Sequence, residues 1–356
     1  MKITDVRVDL ARPRSALVRV YTDEGIVGLG EATASQALRV FVEQSLKPII
    51  IGKDPRRIAR LWDDMFFGTA RSGPMGIQPT AIGAIDIALW DITARSVGLA
   101  LCELLGGPAR ITIPVYLSIG LGWEMQPGQM LERVQRGYED GFRAFKIRMD
   151  WNANRQDANP AKDLEMFRLC REFLPADIPL SFDANNGYSV GTAIKQGRAF
   201  EQLGIAHFEE PLPQYDYQGL RQVVDALDVP VSSGEQEHTR WQFRDLIQLA
   251  NPDILQPDIV MAGGISESRR IYDLATTFNK PTMPHCPSAG ISFAASLHLY
   301  STYVNAVRPH EYQVWHPEAL SLYREPIIPK NGVVTLPGKP GLGLEIDEAA
   351  VERLRM

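Results

Sequence analysis

The chain opens on partly alternating apolar and polar positions and then changes period. Residues 2–10 alternate in part, and 16–31 read as a hairpin turning at Asp23-Glu24-Gly25. Helical spacing follows over 35–48, 55–67 and 80–98. The last of these holds Ala84-Ile-Asp-Ile-Ala-Leu-Trp-Asp91, rich in small and apolar residues, as a helix packed between layers would be. Gly106-Gly107-Pro108 interrupts the pattern and marks a domain boundary. Beyond it, short apolar runs at 113–119, 144–149, 179–183, 207–209, 230–233, 254–257, 281–285 and 305–311 read as strands. Helical stretches at 130–141, 163–174, 190–203, 217–227, 240–250 and 265–278 separate most of them. Eight strands in α/β alternation predict a TIM-type barrel. The Pro/Gly-rich stretch 326–344 lacks helical spacing and is expected to pack back on the first domain. The predicted architecture is an α+β capping domain over 1–110, a barrel over 111–318, and a C-terminal segment over 319–356 that completes the cap.

Three acids stand out against this alternation. Asp183, Glu209 and Glu235 are spaced by 26 residues twice, and each closes a short apolar run. One strand, one helix and a return take about 30 residues, so the interval fits a βα period. Acids ending successive parallel strands converge at the mouth where barrels build their sites. Three oxygen donors with open positions suit a hard divalent cation, and Mg²⁺ is the cofactor expected.

Composition narrows the function class. The 356 residues exceed one simple core. A formal net charge of −6 argues against a nucleic-acid partner. No apolar stretch approaches the length of a membrane span, and no cleavable leader is expected at Met1-Lys-Ile-Thr-Asp5. Cys102, Cys170 and Cys286 are an odd number without paired spacing, so a reducing cytoplasm is the expected setting.

In order along the chain, Ala84–Asp91, Lys146-Ile-Arg148, Asp183-Ala-Asn185, Phe208-Glu-Glu-Pro211, Gly234-Glu235, Gln256-Pro-Asp258, His285 and Glu311 resemble the enolase superfamily, in its mandelate racemase branch. The resemblance covers nearly the whole length. It implies that Asp183, Glu209 and Glu235 hold the metal, with Glu210 behind them, and that Asn185 contacts metal or substrate. It pairs His285 with Asp258 as a catalytic dyad. It makes Glu311 the acid that hydrogen-bonds a forming enediolate, a role a protonated carboxyl would fill. The other histidines, His207, His238, His298, His310 and His316, are read as structural. Homo-oligomers are common in the family, so one is implied here.

The sequence departs from the family's Lys-x-Lys pattern, in which the second lysine is a base. Here that position is Arg148, and a guanidinium stays protonated. Lys146 is left either to polarise the substrate carboxylate or to transfer the proton. Two-base racemisation is thereby disfavoured, and dehydration by the His285–Asp258 pair is the expectation. The implied substrate is a small carboxylate, an acid sugar converted through an enediolate to a 2-keto-3-deoxy acid. A lactone cycloisomerase is the alternative, with a racemase or epimerase behind it. A barrel that retains a metal site without catalysis is a third reading. Substrate contacts are sought in the capping loops at Arg12, Arg14 and Arg71, whose guanidinium forks suit carboxylates, and at Trp151 after the second barrel strand.

Overall fold

The fold is that of a computed structural model describing residues 1–150, 156–313 and 317–356. Strands β1 (Ile3–Ala11), β2 (Ser15–Thr22) and β3 (Val27–Thr33) form an antiparallel sheet in that order. Helix Ile77–Ser96 lies on it. Gly28 and Gly30 permit the approach, because a Cβ at either would overlap the carbonyl oxygen of Ala88 or Ala84. The expected helix over 35–48 is present but uneven: Gln36–Val40 and Lys47–Ile50 flank a π-helical turn at Phe41–Leu46.

Parallel strands follow: β4 (Thr112–Ile119), β5 (Phe145–Arg148), β6 (Leu180–Asp183), β7 (Phe208–Glu209), β8 (Val231–Ser233), β9 (Ile254–Leu255) and β10 (His310–Tyr312). They pair in the order β10-β4-β5-β6-β7-β8-β9, and β11 (Val333–Thr335) adds antiparallel to the start of β4. The fold is therefore α/β, an antiparallel three-stranded cap beside a TIM-like parallel half-barrel. The register carries the site. Arg148 sits opposite Asp183, and Asp183 opposite Glu209, so residues far apart in sequence reach one level of the barrel.

Two predicted barrel strands differ from what forms. Over 281–285 there is a single bridge, Leu255 to Thr282, with Leu255 N–H donating to Pro281 O and Met283 N–H to Leu255 O. Pro284 has no N–H to continue the ladder. The expected strand at 305–311 is confined to His310–Tyr312, just after Pro309. A helix at Ile291–Ser301 is missing from the sequence reading. All 11 of its residues are buried, so it shows no amphipathic spacing.

The two acids of the Ala84–Asp91 run fasten the layers together. Asp86 accepts from Ser266 N (2.9 Å) and Ser266 Oγ (2.6 Å) in the barrel. Asp91 accepts from Leu29 N (3.1 Å) and from Leu342 N (2.9 Å), which ties the C-terminal segment to the cap. Met356 N–H donates to Leu10 O, so the chain end also returns to β1. Among the described residues, no helix is long and apolar enough to cross a membrane.

Candidate active site and metal centre

Asp183 ends β6, Glu209 ends β7, and Glu235 lies just past the end of β8. All three are buried, and each offers a carboxylate oxygen within 4.8 Å of the others. Burial and the charge of Glu209 hold Asp183 well above the usual carboxylate range. Burial also raises Glu235, with the charge of Glu209 adding to it. Its Oε2 accepts no hydrogen bond among the described residues and lies 3.6 Å from His285 Nε2. A buried cluster of like charges with an oxygen to spare is costly unless a cation joins it. The all-oxygen donor set fits Mg²⁺.

Glu209 is the best supported of the three. Its Oε1 pairs with Lys146 Nζ, and its Oε2 accepts from Gln256 Nε2 and faces His207 Nε2 at 3.2 Å. Burial would raise its pKa, but Lys146 and His207 outweigh that and hold it well below the usual range. His207 in turn meets Ser181 Oγ at 2.7 Å through Nδ1. His207 and Gln256 are thus functional neighbours that sequence reasoning missed. For His207 the available signal was its place two residues before Glu209 on one strand, which puts both on one face.

Lys146 is fully buried among three carboxylates, with Nζ 3.1 Å from Glu311 Oε1 and 3.7 Å from Asp183 Oδ2 besides its contact with Glu209. Burial alone would lower its pKa, yet Glu209 and Glu311 push it well above the usual lysine value. Arg148 pairs with Asp150 Oδ1 at 2.9 Å. Glu311 accepts from Cys286 N (2.9 Å) through Oε2. Burial would raise Glu311, but Lys146 and His285 bring it below the usual range. Its Oε1 lies 3.1 Å from Lys146 Nζ.

His285 is held from the opposite side. Its Nδ1 lies 2.9 Å from Asp258 Oδ2, while Asp258 Oδ1 accepts from Val260 N (2.8 Å) and Met261 N (2.9 Å). That leaves Nε2 facing Glu235 and Glu311, the latter at 3.9 Å. Burial would lower the imidazole, but Glu235, Glu311 and Asp258 push it up to about 10.

Asn185 reaches the site by a different route from the expected strand face. β6 ends at Asp183, and Asn185 has a positive φ of 43°. Its amide side chain folds back, donating to Asp183 Oδ2 (3.0 Å) and accepting from Asp150 N (2.6 Å). Glu210 lies behind the acids, accepting from Asn186 Nδ2 and Gln236 Nε2, each at 3.0 Å. Of the capping-loop arginines, Arg14 lines a cavity that also touches Asp258. Arg12 and Arg71 are exposed and stand off that lining. Trp151 and His316 lie outside the described residues. His298 and His310 are buried in the scaffold, and His238 accepts from Gly76 N (3.1 Å), which fastens the segment after Arg71 to the chain that follows β8.

Comparison with known proteins agrees with this geometry. Residues 129–350 match the enolase C-terminal domain-like family, and residues 8–106 match the mandelate racemase / muconate lactonizing enzyme N-terminal domain. The chain is 32% identical over 341 residues to arabinonate dehydratase of Saccharolobus solfataricus, spanning 94% of this chain and 89% of the relative. It is also 32% identical over 383 residues to D-galactarolactone cycloisomerase of Agrobacterium fabrum, spanning 100% and 99%. A mandelate racemase/muconate lactonizing protein from Paracoccus denitrificans, solved as a complex with magnesium, superimposes with a TM-score of 0.96 at 35% identity, over 99% of this chain and 97% of that one. The chain therefore belongs to the enolase superfamily, as a member of its mandelate racemase/muconate lactonizing enzyme family.

Proposed function

We propose that the chain removes the proton α to a carboxylate in a Mg²⁺-dependent reaction, and that it dehydrates an acid sugar to a 2-keto-3-deoxy acid. The observation that carries this reading is the His285–Asp258 pair facing the acid cluster. Asp183, Glu209 and Glu235 would hold the cation. When bound, Mg²⁺ supplies Lewis-acid stabilisation of the charge that builds on the substrate carboxyl group and offsets the negative charge of the acid cluster.

His285 is the proposed base. Asp258 accepts from Nδ1, which turns Nε2 into the site; a cation on the acid cluster would offset the carboxylate charge that raises the imidazole and let Nε2 give up its proton to become the base. Asp258 fixes that tautomer and stabilises the imidazolium formed when the α C–H bond breaks. The same proton then goes to the departing β-hydroxyl, which leaves as water, and the resulting enol becomes the 2-keto acid. Lys146 and Arg148 act by charge: the first holds Glu209 and Glu311 in place, and the second faces the developing anion from β5. Asn185 sets the orientation of Asp183.

Lactone cycloisomerisation is the second reading, supported by the similarity to the galactarolactone enzyme over its whole length. It uses the same α-proton removal. A two-base racemase is less well supported, because Arg148 stands where the family places its second base and a guanidinium stays protonated. A purely structural metal site would need neither the dyad nor Glu311. The test is a screen of purified protein with Mg²⁺ against aldonates and aldarates, trapping 2-keto products with semicarbazide beside a chelator control. A trapped, chelator-sensitive product supports dehydration. Lactone consumption without any trapped product supports cycloisomerisation instead.

A further inference from the structure

A carboxylate offers about four lone-pair positions, two on each oxygen. Among the described residues, donors reach the carboxylate of Glu209 unevenly. Lys146 Nζ meets Oε1, while Gln256 Nε2 and His207 Nε2 (3.2 Å) both meet Oε2. Oε2 is therefore filled, and the position left open is on Oε1.

His207 is fixed for this contact. Its Nδ1 lies 2.7 Å from Ser181 Oγ on β6, which sets the orientation of the ring. The Tyr116 ring packs against it edge to face, with centroids 6.4 Å apart. The imidazole is buried, so bulk water does not compete for Nε2. A carboxylate oxygen only accepts, which makes Nε2 the donor. Partners of this kind, placed behind a metal ligand, orient it and tune what it binds.

Filling one oxygen bears on which cation the site prefers. Mg²⁺ demands a near-ideal octahedron, whereas Ca²⁺ takes about six to eight oxygens in looser geometry and accepts a carboxylate through both of its oxygens. With Oε2 closed, Glu209 is left to ligate through Oε1 alone. We infer that His207 is a specificity-determining residue of the cation site: with Gln256 it closes Oε2 of Glu209, confines that acid to one-oxygen ligation, and so favours Mg²⁺ over Ca²⁺. The inference rests on the reading of Asp183, Glu209 and Glu235 as the cation site, and not on the reaction proposed there.

Calorimetric titrations of the full-length protein with Mg²⁺ and with Ca²⁺ test it, read as the ratio of the two Kd values. The wild type binds Mg²⁺ more tightly. His207→Phe keeps a flat ring but removes the donor, and it lowers the preference for Mg²⁺ by about 10-fold or more. His207→Gln, whose side-chain amide can still donate to Oε2, retains most of the preference. Gln256→Leu opens the other position on Oε2 and shifts the ratio in the same direction, so the test holds even where His207→Phe does not fold. A general loss of packing would weaken both cations alike and leave the ratio in place. An unchanged ratio in the folded variants, or an equal shift in His207→Phe and His207→Gln, overturns the inference. So does a wild type that prefers Ca²⁺ or binds neither cation, and the latter result removes the cation site as well. A ratio that shifts as stated in a protein that turns over no acid sugar upholds the role of His207, while the proposed reaction fails.

Discussion

His285 Nδ1 lies 2.9 Å from Asp258 Oδ2, and backbone amides hold the other oxygen of Asp258. The imidazole thus has one orientation, with Nε2 turned toward Glu235 and Glu311. His285→Asn is expected to lower turnover by about 10³-fold or more while leaving Mg²⁺ affinity within a few-fold. Asp258→Asn, which unsettles the tautomer, should cost about 10²- to 10³-fold. Steady-state kinetics beside a calorimetric Mg²⁺ titration separate the two effects. Turnover that survives His285→Asn would remove the base assignment.

The acid cluster predicts opposite responses with and without metal. Glu235→Gln removes a buried negative charge, so the metal-free protein should unfold at a higher temperature than the wild type. The same change should abolish stabilisation by Mg²⁺, which in the wild type reaches about 2.7 kcal/mol at a hundred times Kd. Thermal scans across a Mg²⁺ series measure both. An unchanged Mg²⁺ response in the variant would exclude Glu235 from the cation site.

Lys146 should be a stability residue as much as a functional one. Lys146→Met leaves Glu209, Glu311 and Asp183 buried without their shared cation. Breaking a buried ion pair by removing one partner costs about 3–5 kcal/mol, and urea denaturation should show a loss of that order. A loss below about 1 kcal/mol would mean that Lys146 carries no charge in the folded protein.

Acid sensitivity should come from the scaffold histidines. Burial depresses both His298 and His310 to about 4 in the folded chain, against 6.5 unfolded. Below pH 6.5 the unfolded chain binds protons that the folded one refuses, so the stability present above 6.5 is lost as pH falls through 4. Each shift corresponds to at most about 3 kcal/mol. His298→Gln should flatten the decline between pH 6.5 and 4 in denaturant titrations. An unaltered slope would contradict the assignment.

Much of this site was legible because its residues end strands. The 26-residue spacing of Asp183, Glu209 and Glu235 survives as a register in which Asp183 sits opposite Glu209. His285 was legible as a residue, although the strand expected beneath it is cut short by Pro284, which breaks the ladder that alternation alone would continue. Gln256 carried no role in the sequence because its hydrogen bond to Glu209 crosses strands and has no local signature, whereas His207 was read as structural although its place two residues before Glu209 puts both on one face. Helix Ile291–Ser301 escaped because a helix buried all round has no polar face to set its period. Asn185 reached the site by a positive φ, which apolar patterning does not encode. The charge states of Lys146 and Glu311 depend on each other's position and needed the assembled barrel.

The central claim is that His285 takes the α-proton while the three acids hold Mg²⁺. The most direct measurement is incubation with acid sugars in D₂O, reading deuterium at the α-carbon or in the 2-keto product by mass spectrometry. The account predicts label or product with wild type and Mg²⁺, and neither with chelator or with His285→Asn. Product or exchange that persists in the His285→Asn variant or without metal would contradict it.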